Sequence, residues 1–160
     1  MCRWWASCRA AWSSARCQKG FAITSFFTVG VSAFVSWVVM YFSLRNKDRS
    51  ELDAELSSIL KIGIEHPNFE QTSFTNGWTP DRAKTDKEYA AYDMYATLVF
   101  NFLERYFRFY KFKKEECLSR LDSRNWIMTH KTYWKNPIND FENKDSYEKK
   151  FVNLVKEVID

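Results

Sequence analysis

The clearest pattern along the chain is a run of 24 residues without a charge, Phe21 to Leu44, reading FAITSFFTVGVSAFVSWVVMYFSL. As a helix rising about 1.5 Å per residue it would be about 36 Å long, enough to cross a hydrocarbon core of about 30 Å with some tilt. It is too long for the apolar part of a cleaved signal peptide, and no small-residue cleavage site follows it. Arg16 and Lys19 precede it, Arg45, Lys47 and Arg49 follow it, and Trp37 and Tyr41 lie near its far end, where amphipathic rings suit a membrane interface. The pattern predicts a transmembrane helix. Within it Ser25, Thr28, Ser32 and Ser36, continued by Ser43, recur at helical steps on one side. Small hydroxyl residues so placed predict a face that packs against a partner helix or a second copy. The competing reading is that these hydroxyls bond to their own helix carbonyls.

After the run the apolar period stays helical. Leu52, Leu56, Ile59, Leu60 and Gly63 form a stripe that ends at His66-Pro67, because the residue before a proline avoids helical geometry. Residues 67–85, with Pro67, Asn76-Gly77 and Thr79-Pro80, read as an irregular loop. Thr85 and Glu88 fit a capping box opening a second helix, with Tyr89, Tyr92, Ala96, Val99, Phe100, Leu103 and Phe107 as its apolar stripe and an end near Phe112. A third helical region starts near Lys114 with Cys117, Leu118 and Leu121 on one side. It bends near Ser123 before Trp126, Ile127 and Met128, and stops at Asn136-Pro137. A last helix begins near Ser146 and carries Tyr147, Phe151, Leu154, Val155 and Val158. No segment alternates with period two, so no sheet is expected. The fold class is all-α: one transmembrane helix continuing into a small antiparallel helical bundle, divided as tail 1–20, membrane helix 21–44 and helical domain 45–160.

Composition sharpens this. The formal charge is +4, from 24 Lys and Arg against 20 Asp and Glu, but residues 1–44 hold no acid and four bases, Arg3, Arg9, Arg16 and Lys19. The domain that follows is therefore neutral, which argues against general nucleic-acid binding. Counting bases near the two ends of the apolar run gives no orientation; the acid-free tail leans toward keeping the N-terminus on the positive side. The tail, MCRWWASCRAAWSSARCQK, has the composition of a transit peptide, yet Trp5, Trp12, Arg9 and Arg16 fall on one helical side and fail the amphipathic test. Its Cys2, Cys8 and Cys17 match no zinc spacing, and juxtamembrane cysteines of this kind are candidates for acylation. The plainest reading is a basic tail touching headgroups through Arg and Trp.

Candidate chemistry is sparse. His66 and His130 are the only imidazoles, and neither has the helical spacing of a metal pair. His66 at a helix end is expected to cap carbonyls, and His130, in a Thr-His-Lys run, to be solvated. Cys117 next to Leu118 reads as a small core residue. No glycine-rich phosphate loop or nucleophile elbow occurs, so neither catalytic residues nor cofactor or metal ligands are expected. The absence of an Asn-x-Ser/Thr acceptor leans mildly against an extracellular domain. The most suggestive run is RYFRFYKFKK, Arg105 to Lys114, where Arg105, Arg108, Lys111, Lys113 and Lys114 alternate with aromatics. Such interleaving suits anionic lipid or single-stranded nucleic acid, or else a helix C-terminus whose aromatics pack inward.

The stretches LSSILKIGIEHP (Leu56 to Pro67) and VFNFLERY (Val99 to Tyr106), with Trp126-Ile127 and Tyr133-Trp134, resemble a loose group of uncharacterised membrane-tethered helical proteins, mostly bacterial. The resemblance covers residues 45–135 and implies a plan of one membrane helix, a helix ending in His-Pro, an aromatic helix and a Trp-bearing helix. It implies no activity for any residue, and the Cys- and Trp-rich tail departs from it.

The expected function is a non-enzymatic, single-pass membrane anchor whose helical domain interacts with a protein partner, or with a second copy through the membrane helix, as an accessory subunit of a membrane assembly. The alternatives are an anionic-lipid-binding surface at Arg105–Lys114 and a membrane-bound enzyme using Glu65, Asp93 or Glu104.

Overall fold

The computed structural model describes the backbone of residues 5–138 and 145–160, and the side chains of residues 31–119, 121–138 and 145–160. The described chain is all-α. Its elements are α1 (Trp5–Glu65), a 3-10 turn (Pro67–Glu70), α2 (Thr72–Thr75), α3 (Pro80–Thr85), α4 (Lys87–Phe109), α5 (Lys114–Arg120), α6 (Ser123–Thr129), α7 (Lys131–Lys135) and α8 (Lys149–Ile159). They fall into two compact units, Met1–Lys47 and Asp48–Asp160.

In the first unit the side chains of Val31, Phe34, Val35, Trp37, Val39, Met40, Tyr41, Phe42 and Leu44 are all exposed, at 47–62%. At about 100° per residue they project around the whole circumference except the strip held by Ser32, Ser36 and Ser43. Phe34, Trp37 and Tyr41 form a ladder of ring contacts along one side, at 6.2 and 6.0 Å. Among the described residues no helix is long and apolar enough to cross a membrane. The uncharged run starts at Phe21, ten residues before side chains are described.

The second unit is a helical bundle built around α4. The stripe read from sequence, Tyr89 to Phe107, is wholly buried, and Tyr95, Phe102 and Tyr106 widen it. An aromatic helix this broad needs partners on several sides. Leu52 and Ile59 of α1 cover one, whereas Leu60 falls outside the contact and stays 51% exposed. Phe100 packs on Trp134 at 4.7 Å, and Phe107 on Phe151 of α8 at 6.0 Å. Phe69 of the 3-10 turn plugs the other end, within 5.6 Å of both Tyr92 and Tyr95.

Several boundaries differ from the sequence expectation. Residues 67–85 are not an irregular loop. Thr79 Oγ1 accepts the Arg82 N–H at 3.2 Å, and Pro80 sits at the first helical position, so α3 has both parts of a helix start. Because Thr85 ends α3, with its hydroxyl donating to the Asp81 carbonyl, it does not cap α4. Asp86 does, its carboxylate accepting the Glu88 N–H at 2.9 Å. The last helix starts at Lys149 rather than Ser146, with Glu148 as its N-cap.

Helix α4 ends at Phe109 rather than near Phe112, in a Schellman turn. The Phe112 N–H donates to the Phe107 carbonyl at 2.8 Å and the Lys111 N–H to the Arg108 carbonyl at 3.0 Å. Lys111 and Phe112 both take φ of 55°, the left-handed region that usually calls for glycine.

Candidate functional site: a carboxylate clamp in the aromatic core

Tyrosines on a buried stripe bring hydroxyls that need partners. Tyr92 and Tyr95, three apart on α4, place theirs at the end of the bundle where Phe69 enters. Pro67 starts a tight turn there, and Glu70, one residue beyond Phe69, turns its carboxylate inward. Tyr95 Oη donates to Glu70 Oε1. Trp126 Nε1 of α6 donates to both carboxylate oxygens, at 2.8 and 3.1 Å. Gly63 of α1 completes the enclosure: a Cβ there would lie 3.2 Å from Tyr95 Oη and 3.8 Å from Glu70 Cγ.

His130, expected to be solvated, has no exposed surface. Its Nδ1 shares a hydrogen bond of 2.9 Å with Tyr92 Oη. Its Nε2 lies 3.7 Å from Glu70 Oε1, beyond hydrogen-bonding distance, and is left buried without a partner. The carboxylate favours a proton on Nε2, which leaves Nδ1 to accept from Tyr92. The Thr-His-Lys run gave no sign of this, because the partners lie 38 and 60 positions away in sequence. His66 makes no side-chain cap either; its ring stacks on Phe69 at 4.8 Å.

Burial works against the charged form of Glu70, but the His130 ring and the Tyr95 and Trp126 donors outweigh it and hold the carboxyl below its ordinary 4.5. Burial is also the main reason that Tyr92 and Tyr95 titrate far above the ordinary tyrosine value, with the Glu70 charge adding to it. All three groups therefore stay in one protonation state near neutrality. With His130 sealed and the Glu70 carboxylate, 37% exposed, held by the Tyr95 and Trp126 donors, the cluster clamps the 3-10 turn to α4 and α6. Sequence reasoning missed Glu70 and Tyr95 as members. The available signal was the pair of tyrosines on an apolar stripe, which requires a polar residue to come in from elsewhere.

The other sequence candidates fall in different places. Glu104 is 14% exposed and accepts the Glu148 backbone N–H at 2.6 Å, so the strongest carboxylate candidate for catalysis is a helix cap. Asp93 lies half-buried on α4, and Glu65 is exposed at the end of α1. Cys117 is fully buried, as a core residue should be. Ser32 and Ser36 are exposed, while the side chains of Ser25 and Thr28, like Cys2, Cys8 and Cys17, lie outside the described residues. Of the cationic run, Arg105 pairs with Glu55 at 2.7 Å and Glu51 at 3.6 Å. Arg108 pairs with Glu104 at 3.2 Å and Glu148 at 3.5 Å. Lys114 pairs with Glu157 at 2.8 Å and Lys113 with Glu116 at 3.6 Å. Lys111 is exposed and makes no ion pair among the described residues. Among the described residues no group of three or more His, Cys, Asp or Glu could hold a metal ion. No protein-family model, curated protein or solved structure matches the chain.

Proposed function

We propose that this protein is a non-enzymatic, single-pass membrane anchor whose helical unit docks a protein partner, as an accessory subunit of a membrane assembly. The observation that carries the reading is the exposure of apolar side chains around nearly the whole circumference of α1 between Val31 and Leu44. A helix bound in a groove needs one apolar face; a helix apolar all round needs lipid or complete enclosure. The uncharged run extends ten residues further toward the N-terminus, to Phe21, which brings it to spanning length. In the second unit the exposed pairs Leu60 with Ile64 on α1 and Met94 with Leu98 on α4 supply apolar surface for a protein partner.

Carbonate washing of membranes carrying the full chain tests the anchor. The chain should stay in the pellet, and its release as a soluble protein would overturn the reading. Sizing of the detergent extract tests the docking, which predicts a species larger than a single chain in its micelle.

A further inference from the structure

Helix α4 runs antiparallel to the part of α1 inside the second unit. Tyr95 approaches Gly63, whereas Arg105, ten residues later, reaches Glu55 and Glu51. Beyond Arg105 the helix rises about 7.5 Å more before Tyr110. From Glu55 back to Asp48 is about 10 Å. The turn Tyr110–Lys114 therefore lies at the end of the unit where Asp48 begins it. Only four residue steps lead from Leu44, the last of the apolar run, to Asp48. Even fully extended they reach about 14 Å, so a bilayer holding the run has its edge within that distance of Asp48 whatever the angle between the units.

The turn carries the chemistry of a headgroup contact. Lys111 is exposed, and Lys113, also exposed, holds only a surface ion pair that water and salt weaken. Lys150 of α8 adds a third cation, its Nζ 5.8 Å from the centre of the Phe112 ring. Tyr110 and Phe112 are half-buried between these lysines, as interfacial rings are. Within the Arg105–Lys114 run, Arg105, Arg108 and Lys114 pair with carboxylates, which leaves Lys111 and Lys113 as the cations this run offers to an external anion. Lys111 also occupies the left-handed position where glycine would be easier, and keeps a charged side chain there at the expense of local stability.

We infer that the Tyr110–Lys114 turn, with Lys150, docks the helical unit onto the anionic headgroups of the membrane that holds its anchor. The inference rests on the anchor reading above and adds a lipid class and a second contact point. It follows that the lysines of this turn are shielded at an anionic bilayer and open at a neutral one.

Lysine acylation of the native full-length chain, reconstituted into vesicles and read by mass spectrometry, tests this. Lys84 serves as reference: it lies on α3, whose Arg82 sits over Tyr89 near the opposite end of α4. The ratio of Lys111 and Lys113 labelling to Lys84 cancels insertion orientation, because all three belong to one unit. In phosphatidylserine-containing vesicles the ratio should fall severalfold below its value in phosphatidylcholine and recover at about 1 M salt, where screening acts within about 3 Å. An equal ratio in the two vesicle types, with the chain still resisting carbonate, overturns the inference and leaves the anchor standing. Release by carbonate overturns the anchor, and the inference with it.

Discussion

Glu104 and Glu148, 44 residues apart, are joined through a single donor: the backbone N–H of Glu148 points at Glu104 Oε1 from 2.6 Å. The start of α8 is thus capped from α4 rather than by a residue of its own. Arg108 lies against both carboxylates and keeps their charges from opposing each other.

Glu104→Ala should therefore act on α8 first. The lost cap is worth about 0.5–2 kcal/mol. Amide exchange should accelerate through Lys149–Val152 before it changes in the middle of α4. Uniform acceleration across the unit would show that the contact is not a local cap.

Lys111→Gly should stabilise the protein. Relief of the left-handed backbone is worth about 1–2 kcal/mol, offset by about 0.5–1 kcal/mol for the freer unfolded chain. A net gain of about 0.5–1 kcal/mol should appear in a denaturant midpoint. A loss would mean that the lysine side chain contributes more to the fold than its exposure implies.

Gly77 has the opposite constraint. A Cβ there would sit 2.5 Å from Tyr89 Oη, 2.8 Å from Arg82 Nη1 and 3.2 Å from the Phe74 carbonyl. Gly77→Ala should cost about 1–3 kcal/mol, the usual range for overpacking. Adding Tyr89→Phe removes the nearest atom and should recover part of the loss. A double variant no better than the single one would place the clash elsewhere.

The clamp predicts an acid dependence. Glu70 titrates below 4.5 when folded, so its carboxylate adds stability that is complete above that value and drains away as pH falls through the lower, folded one. Denaturant midpoints taken between about pH 3 and pH 6 should fall toward acid in the native protein and fall less steeply in Glu70→Gln. Equal slopes would show that other carboxylates carry the dependence.

Tyr92→Phe removes the hydroxyl that His130 Nδ1 meets and leaves both ring nitrogens buried without a partner. The expected cost is about 1–3 kcal/mol. A variant as stable as the native chain would indicate that water enters the site.

The stripes of α4 and α8 could be read directly, since a buried helix face repeats with the turn of the helix and needs no knowledge of its partner. The uncharged run from Phe21 to Leu44 was equally plain, because length and lack of charge are properties of the segment alone. The start of α4 was misread: Thr85 and Glu88 have the spacing of a capping box, but Thr85 belongs to α3 and Asp86 caps α4. His130 and Glu70 left no local trace. Their neighbours say polar and exposed, and only the arrival of Tyr92 from a distant position makes the burial of His130 tolerable, while Tyr95 and Trp126 supply the donors that fix Glu70. What the amino-acid order settles by itself is where the long helices run and which of their faces are apolar, because those follow from contacts within a few residues, whereas the short helices between Pro67 and Thr85 were not read from it. The pairing of carboxylate, imidazole and tyrosines, and the end of the bundle to which the Lys111 turn belongs, were decided by the packing of helices against one another, where distance along the chain carries no information.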